Sequence, residues 1–439
     1  MAVAKTRQLV PIHTVEIPVN QRALVIGGGV AGMSAALSLA DQGFDTVLVE
    51  KDHMLGGHLN NIFYTVEGLD VHAFVKEMTH RIMNHPRIKP YLSSKIKDIK
   101  GYVGNYDTCI ETSAGVELYN HGVVVVATGA EENKPKSYHY GKDPRVMTQS
   151  ELEKRLSEMD SKDVRNRETY VMIQCVESRE NTRPYCSRIC CMQAVKNALK
   201  IKSLNPRAEV YVLYRDMMTY GFKEIYYSKA REKGVVFIQY DLDRKPEINI
   251  HDQLIVKIMD PMLGASVEIP ADYLILSTGM QPSKDTTALA KQLKVPVNSD
   301  GFFLEAHVKL RPVDFSTRGV FLAGCCHSPK FLGESVYQGQ AAAARAATLL
   351  ASGKLESEPN IAVVDETLCS GCKTCILVCP YKAIDAVEKI VDGKRVVHAK
   401  VNEGLCQGCG TCVVACPARA IEQHGFNDRQ ILSMIKETI

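Results

Sequence analysis

The chain has 439 residues, 45% of them hydrophobic, with 53 Lys and Arg against 50 Asp and Glu and a formal net charge of +3. That length supports two or three packed domains, and the near-neutral charge, with no basic block interleaved with aromatics, argues against a nucleic-acid partner. There is no apolar run of roughly 18 residues and no export signal at the start, so no transmembrane segment and a cytoplasmic location are expected, as fifteen cysteines in a reducing compartment also suggest.

Residues 1–20 carry no readable chemistry and form an amino-terminal extension. The next segment, RALVIGGGVAGMSAALSLADQGFDTVLVEK at 22–51, predicts a strand, a turn with Gly27, Gly29 and Gly32 in G-x-G-x-x-G register, a helix, a second strand and then Glu50. The glycines allow a pyrophosphate to approach the helix amino terminus, where free amides and the helix dipole favour an anion, and Glu50 can accept ribose hydroxyls. Gly56-Gly57 follows, and Val123–Val126 predicts a buried strand ending in Ala127-Thr128-Gly129. This arrangement resembles the two-dinucleotide-domain flavoproteins such as thioredoxin reductase, in which FAD takes the first site. The resemblance extends to Phe321-Leu322-Ala323-Gly324, with Cys325 where those enzymes have an Asp, and to a long helix predicted over 340–351 after Ser335-Val336-Tyr337-Gln338. The cofactor-binding set expected for FAD is Gly27, Gly29, Val30, Ala31, Gly32, Glu50, Lys51, Gly56, Gly57, Ala127, Thr128, Gly129, Gly324, Cys325, Val336 and Gln338. Lys330 is either a cation beside the flavin that tunes it, the one catalytic candidate, or a solvated loop lysine.

In thioredoxin reductases a second glycine loop binds NADPH. Here the strand expected at 170–174 runs into Cys175, with Cys186, Cys190 and Cys191 behind it, and the strand at 272–276 ends in Thr278-Gly279. Without the glycines a pyrophosphate cannot approach that backbone. The C-x10-C-x3-C-C spacing fits a third 4Fe-4S cluster, buried thiols, or a redox-active pair. Arg215, Asp216 and Tyr220 either tune the central cofactors or form an ion pair and a packed ring. Cys109 reads as core, and Cys325-Cys326 as a lining of the flavin site.

Eight cysteines near the carboxy terminus repeat one spacing: Cys369, Cys372, Cys375, Cys379-Pro380 and Cys406, Cys409, Cys412, Cys416-Pro417. This is the C-x2-C-x2-C-x3-C-P run of bacterial ferredoxins, in which the fourth thiolate of each run reaches the other cluster. The expected sets are Cys369, Cys372, Cys375 with Cys416, and Cys406, Cys409, Cys412 with Cys379. A zinc site, which wants four ligands in pairs, fits less well. Between the runs, Asp392-Gly393 inside VEKIVDGKRVVHAKV predicts a hairpin. A helix is expected from Asn427 to Ile439, its apolar face either docking a partner or covering the ferredoxin domain.

The predicted organisation is α/β: a thioredoxin-reductase-like two-dinucleotide-binding-domain flavoprotein fused to an α+β bacterial-type two-cluster ferredoxin domain. The FAD domain spans 21–165 and 271–355, a degenerate nucleotide-binding-like domain with the cysteine cluster 166–270, the ferredoxin domain 356–425 and the terminal helix 426–439. GYVGNY at 101–106, QCVESRENTRPYCSRICCMQAVKNA at 174–198, VYVLYRDMMTYGF at 210–222 and AIEQHGFNDRQI at the tail together resemble the A subunit of heterodisulfide reductase. The resemblance implies an FAD and iron–sulfur electron-transfer subunit with a cluster at Cys175, Cys186, Cys190 and Cys191, and in some members electron bifurcation at the flavin. It also implies a hetero-oligomer, dimeric in some forms, with other subunits of such a complex and a hydrogenase, formate dehydrogenase or ferredoxin-type partner. Relative to full-length members the chain reads as a shortened form without the amino-terminal cluster domain. An NAD(P)H:ferredoxin oxidoreductase and a scaffold for catalytic partners are the competing readings.

Overall fold

A computed structural model describes residues 2–9, 16–159, 167–250, 252–356, 360–391 and 394–437. Arg22–Ile26, Asp45–Val49, Val123–Val126, Ile88–Tyr91 and Val320–Leu322 are short apolar runs, and they form one all-parallel sheet in the order 320, 123, 22, 45, 88. All four residues of Val123–Val126 are buried, as a strand covered on both faces requires. The helices Val30–Asp41 and Leu332–Ser352 cover one face through small residues, with Ala35, Ala36, Ala342, Ala343 and Ala346 fully buried. A Cβ at Gly339 would overlap the Ala31 carbonyl, so the two helices meet at backbone distance.

A second all-parallel sheet has the order Val146–Thr148, Tyr273–Leu276, Thr169–Ile173, Glu209–Tyr214, Val235–Gln239. Each sheet has its own three-stranded antiparallel partner, 95–121 for the first and 247–271 for the second. The two units therefore repeat one plan, and they are joined where Ala130–Glu132 pairs with Met280–Pro282. The second unit begins upstream of the boundary at 166 expected from sequence, because the three-residue strand Val146–Thr148 is too short to show a period. The helix expected over 340–351 starts earlier, at Leu332, where the Glu334 carboxylate accepts from the Phe331 amide at 2.9 Å and closes the first turn. Cys109 lies on the more exposed face of Asn105–Thr112, since Tyr106, Thr108 and Ile110 take the buried one.

The tail pairs Ala362–Val364 with Ile421–Gln423 and sends out the hairpin Ile384–Val391/Lys394–Val401. Asp392 and Gly393 lie outside the described residues, as do Ile439 and its neighbour 438 at the end of the terminal helix. That helix is Asp428–Lys436, capped by Asn427, whose side chain accepts from the Gln430 amide at 3.0 Å. It packs on the amino-terminal helix Ala2–Thr6, with Lys5 Nζ 3.7 Å from the Phe426 ring centre, and leaves Ile431, Leu432 and Ile435 exposed. No described helix is long and apolar enough to cross a membrane.

Candidate functional site

Every strand of the first sheet named below delivers a candidate residue at its carboxyl end. Arg22–Ile26 leads into Gly27, Asp45–Val49 into Glu50, Val123–Val126 into Ala127-Thr128-Gly129, and Val320–Leu322 into Ala323-Gly324. This edge of a parallel α/β sheet is where ligands sit. Gly27 has φ +109, and its missing Cβ makes room for the Ala127 carbonyl. Gly32 is steric: a Cβ there would overlap the Gly27 carbonyl. At Gly29 nothing lies within 4 Å of an added Cβ, so the loop has open space in front of it. Gly29 bridges to Gly56, and Gly57 stands beside it, so the two glycine pairs form one cradle.

Val30 and Ala31 open the helix whose Gly29 cap supplies no side chain, leaving first-turn amides free for an anion. Glu50, buried, accepts from the Gly28 amide at 2.5 Å and the Asp52 amide at 2.9 Å. The Thr128 Oγ1 and Ser34 Oγ atoms are buried without a partner among the described residues. Open space before the glycines, free amides and orphaned hydroxyls fit the diphosphate and ribose of FAD. Gly28 was missed in the sequence reading, where it is only a spacer; Leu55 and Glu50 press against the place its Cβ would take. Lys51 is exposed, with Nζ 3.9 Å from Asp285.

At the other end, Gln338 accepts from the Gly324 amide at 2.8 Å and lies 2.9 Å from His327 Nδ1, while His327 Nε2 lies 2.8 Å from Glu305. Val336 packs beneath on the first core. Lys330 is half-buried rather than solvated: its Nζ donates to Ser328 Oγ at 2.6 Å, and burial lowers its pKa while Cys325 and Cys326 pull it up. Cys325 Sγ lies 3.7 Å from the Lys330 carbonyl, and burial raises its thiol as well.

The second sheet presents the same carboxyl edge without a glycine loop. Thr169–Ile173 runs into Gln174-Cys175, Glu209–Tyr214 into Arg215-Asp216, and Tyr273–Leu276 into Ser277-Thr278. The loop from Cys175 to Ile189 coils through four left-handed residues, Cys175, Glu177, Arg179 and Arg188, and brings Cys186 and the helix start Cys190-Cys191 back beside Cys175. The four thiols are mutual neighbours: burial pushes Cys191 up to about 12, and Cys175 and Cys186 add to it. Cys190 is raised by burial and then by Cys191, Cys175 and Cys186. Four neighbouring thiols, which bound iron would hold as thiolates, are the donor set that a cluster takes. The Arg188 amide donates to Cys186 Sγ at 3.3 Å, and its guanidinium reaches Tyr220 Oη at 2.6 Å and Glu334 Oε1 at 2.9 Å, tying this loop to the start of the 332–352 helix. Asp216 pairs with Arg179, and the Tyr220 ring packs on Phe331. Arg179, Arg183 and Arg188, all inside the cysteine block, were missed in the sequence reading.

In the tail, Cys369, Cys372, Cys375 and Cys416 line one cavity with His398 and Pro417. Burial pushes Cys412 up to about 11, followed by Cys406, Cys409 and Cys379. The fourth thiol of each run thus stands with the other run's three. Backbone amides of Ala362, Ala383, Ala399 and Ala420 donate to Cys406, Cys379, Cys369 and Cys416 at 3.3–3.5 Å, leaving those thiols oriented as a cluster needs. Among the described residues no three Cys, His, Asp or Glu groups converge on a single-ion point.

Residues 23–204 match the family described as FAD dependent oxidoreductase, and residues 362–423 match the 4Fe-4S dicluster domain. The second iron–sulfur A subunit of the CoB–CoM heterodisulfide reductase of Methanopyrus kandleri is 35% identical over 90% of this chain and 74% of that protein. The chain belongs to the heterodisulfide reductase A-subunit family. Another relative, the A subunit of the H(2):CoB-CoM heterodisulfide,ferredoxin reductase of Methanothermobacter marburgensis, is 33% identical and covers 100% of this chain and 79% of its own length. That alignment runs over 534 positions against 439 residues, so the relative carries inserted segments that this chain lacks. The A subunit of the H(2)/formate:CoB-CoM heterodisulfide,ferredoxin reductase of Methanococcus maripaludis is 31% identical over 88% of this chain and 73% of its own. Among solved structures, thioredoxin reductase from T. acidophilum superposes with a TM-score of 0.52 at 17% identity, covering 74% of this chain and 97% of that one. Thioredoxin reductase from Lactococcus lactis gives 0.52 at 19% identity over 76% and 99%. Both share the fold of the two-sheet part of this heterodisulfide reductase homologue.

Proposed function

We propose that this chain is the FAD- and iron–sulfur-bearing electron-transfer subunit of a heterodisulfide-reductase-like complex, and that it exchanges electrons with protein partners rather than with a pyridine nucleotide. FAD supplies the link between two-electron and one-electron chemistry, and 4Fe-4S clusters supply one-electron carriage. The observation that carries the reading is the second sheet, whose ligand-binding edge holds four neighbouring thiols where a dinucleotide site would need glycines. Gly27, Gly29, Gly32, Gly56, Gly57 and the Ala127–Gly129 turn would admit the FAD diphosphate, with Val30 and Ala31 lending amides and Glu50 turning to the ribose. Gln338 holds the Gly324 turn and His327 in place, and Lys330 would hold a positive charge or release a proton beside Cys325. Cys369, Cys372, Cys375 and Cys416 would hold one tail cluster, Cys406, Cys409, Cys412 and Cys379 the other, and Cys175, Cys186, Cys190 and Cys191 a third.

The partners on this reading are the other subunits of the complex together with a hydrogenase, formate dehydrogenase or ferredoxin-type protein, the chemistry named in the M. marburgensis and M. maripaludis relatives. Two groups of thiol sites, one in the second unit and one in the tail, supply the two outlets that electron bifurcation needs. The test is anaerobic purification followed by metal and flavin analysis: about twelve irons and one FAD per chain are expected, and about eight irons would remove the third cluster. NADH or NADPH added to that protein is expected to leave the flavin absorbance oxidised; bleaching would favour an NAD(P)H:ferredoxin oxidoreductase.

A further inference from the structure

At the ligand edge of the first sheet four groups form a single file of hydrogen bonds. The Gly324 amide donates to Gln338 Oε1 at 2.8 Å, Gln338 Nε2 lies 2.9 Å from His327 Nδ1, and His327 Nε2 lies 2.8 Å from Glu305 Oε2. Because the Gln338 oxygen is taken by Gly324, its amide nitrogen must donate to His327. Nδ1 is therefore the acceptor, and the ring proton sits on Nε2, facing the carboxylate. Gly324 has φ +78, and a Cβ there would stand 2.7 Å from the Ala31 Cβ, so this turn closes on the first turn of the helix Val30–Asp41.

The file runs this way only while His327 is neutral. Burial and then Lys330 hold the ring below the ordinary 6.5, against the pull of Glu305. Burial pushes the Glu305 carboxyl up, but its own amide, His327 and Lys330 bring it below the usual carboxylate range. Lys330 and Glu305 are the charged groups that act on the ring among the described residues, and Lys330 Nζ also donates to Ser328 Oγ. A proton on Nδ1 would face the hydrogens of the Gln338 amide. Gln338 must then turn over and offer its oxygen to His327, which leaves the Gly324 N–H without its acceptor and free for a negative group at the sheet edge. By the same linkage, negative charge gained at that edge favours the proton on the ring.

We propose that Glu305, His327 and Gln338 are positioning residues of the flavin site that couple its two-electron reduction to one proton at His327 Nδ1, with the Gly324 amide released toward the cofactor as that proton binds. The proposal rests on the reading of this edge as the FAD site. The two electrons come singly from iron–sulfur carriers, and the proton comes from water, to which the His327 and Glu305 side chains are 18% and 12% exposed. On reduction the Nδ1–H bond forms and the Gln338 amide turns; on oxidation the proton returns to water and Gln338 regains the Gly324 amide. This proton is additional to any that the flavin itself takes, and it is taken up between the ring's pKa in the oxidised state and its higher one in the reduced state.

The experiment is an equilibrium redox titration of the flavin in the anaerobically purified holoprotein, repeated from about pH 5 to 8. In His327→Gln and Glu305→Gln the reduced-to-oxidised ratio at fixed potential is expected to change about tenfold less per pH unit than in the wild type, which is about 30 mV per pH unit for a two-electron couple. Glu305→Asp should restore the wild-type slope. Gln338→Glu, whose carboxylate accepts from Gly324 and from a protonated ring together, should hold the proton in both redox states and lose the step as well, which a role in packing alone would not give. Glu305→Gln covers the case in which His327→Gln fails to fold or to keep its flavin. Wild-type protein that binds no flavin would overturn the reading of this edge, and the proposal with it. Equal slopes in the wild type, His327→Gln and Glu305→Gln, with flavin bound to all three, overturn the proposal alone.

Discussion

Gly29 and Gly32 belong to the same motif and do opposite physical work. Gly32 has no room for a methyl group, because the Gly27 carbonyl fills that place, whereas Gly29 has an extended conformation open to any residue and nothing within 4 Å. Gly32→Ala is therefore expected to yield little folded protein, a clash in a packed turn costing about 1–3 kcal/mol or more. Gly29→Val should keep its melting temperature and lose bound flavin, which absorbance at equal protein concentration measures; full flavin content would remove Gly29 from the cofactor site. A second residue-scale expectation concerns His121. It is fully buried between the Tyr106 and Tyr119 rings, and burial lowers its pKa from the ordinary 6.5 to about 3. The unfolded chain takes up a proton between those values that the folded chain refuses, so stability is complete above pH 6.5 and declines as pH falls toward 3. By pH 4.5 the loss is about 2–3 kcal/mol, and His121→Phe should flatten that part of a denaturant-midpoint profile against pH. The motif glycines were legible because their spacing is fixed; Gly28 was not, since Glu50 and Leu55 press on it from 22 and 27 residues away, nor was His121, whose burial comes from packing.

The helix Cys190–Leu204 carries two of the middle cysteines at its start and is held at its centre by a buried pair. Lys196 Nζ lies 2.6 Å from Glu153 Oε2, Glu153 Oε1 accepts from the Phe63 amide at 2.9 Å, and Lys196 also donates to the Tyr64 carbonyl at 3.0 Å. Since Phe63 and Tyr64 belong to the flavin unit and the other groups to the second, this network binds the units together. Removing one charge strands the other: Glu153→Ala should cost about 3–5 kcal/mol in urea unfolding, and Glu153→Ala with Lys196→Met should recover part of it. An additive double mutant would show that the pair contributes no coupling. The sequence reading did not mark this helix, and the helix at 332–352 was placed too late because Gly333 and Gly339 look like loop residues. Gly339 is small because Val30–Asp41 passes at backbone distance, a contact between segments some 300 residues apart.

The tail touches the flavin unit at Gly404 and at Tyr381. A Cβ at Gly404 would stand 2.6 Å from the Tyr102 ring, and Lys294 Nζ donates to the Tyr381 carbonyl at 3.4 Å. Gly404→Val should push the tail outward with its irons retained, slowing flavin oxidation through the tail by about tenfold or more. An unchanged rate in stopped-flow would show that electrons leave by another route.

Local spacing carries the glycine cradle, the doubled cysteine runs and the family, since ligands to one loop or one cluster must recur at short fixed intervals. Which groups oppose one another across those intervals depends on how the chain packs. Arg183 finds only carbonyls as hydrogen-bond partners among the described residues. Cys175 joins Cys190 because a left-handed loop returns the chain to the edge of its own sheet. Burial and charge pairing are properties of packed surfaces, and no residue type states them in advance.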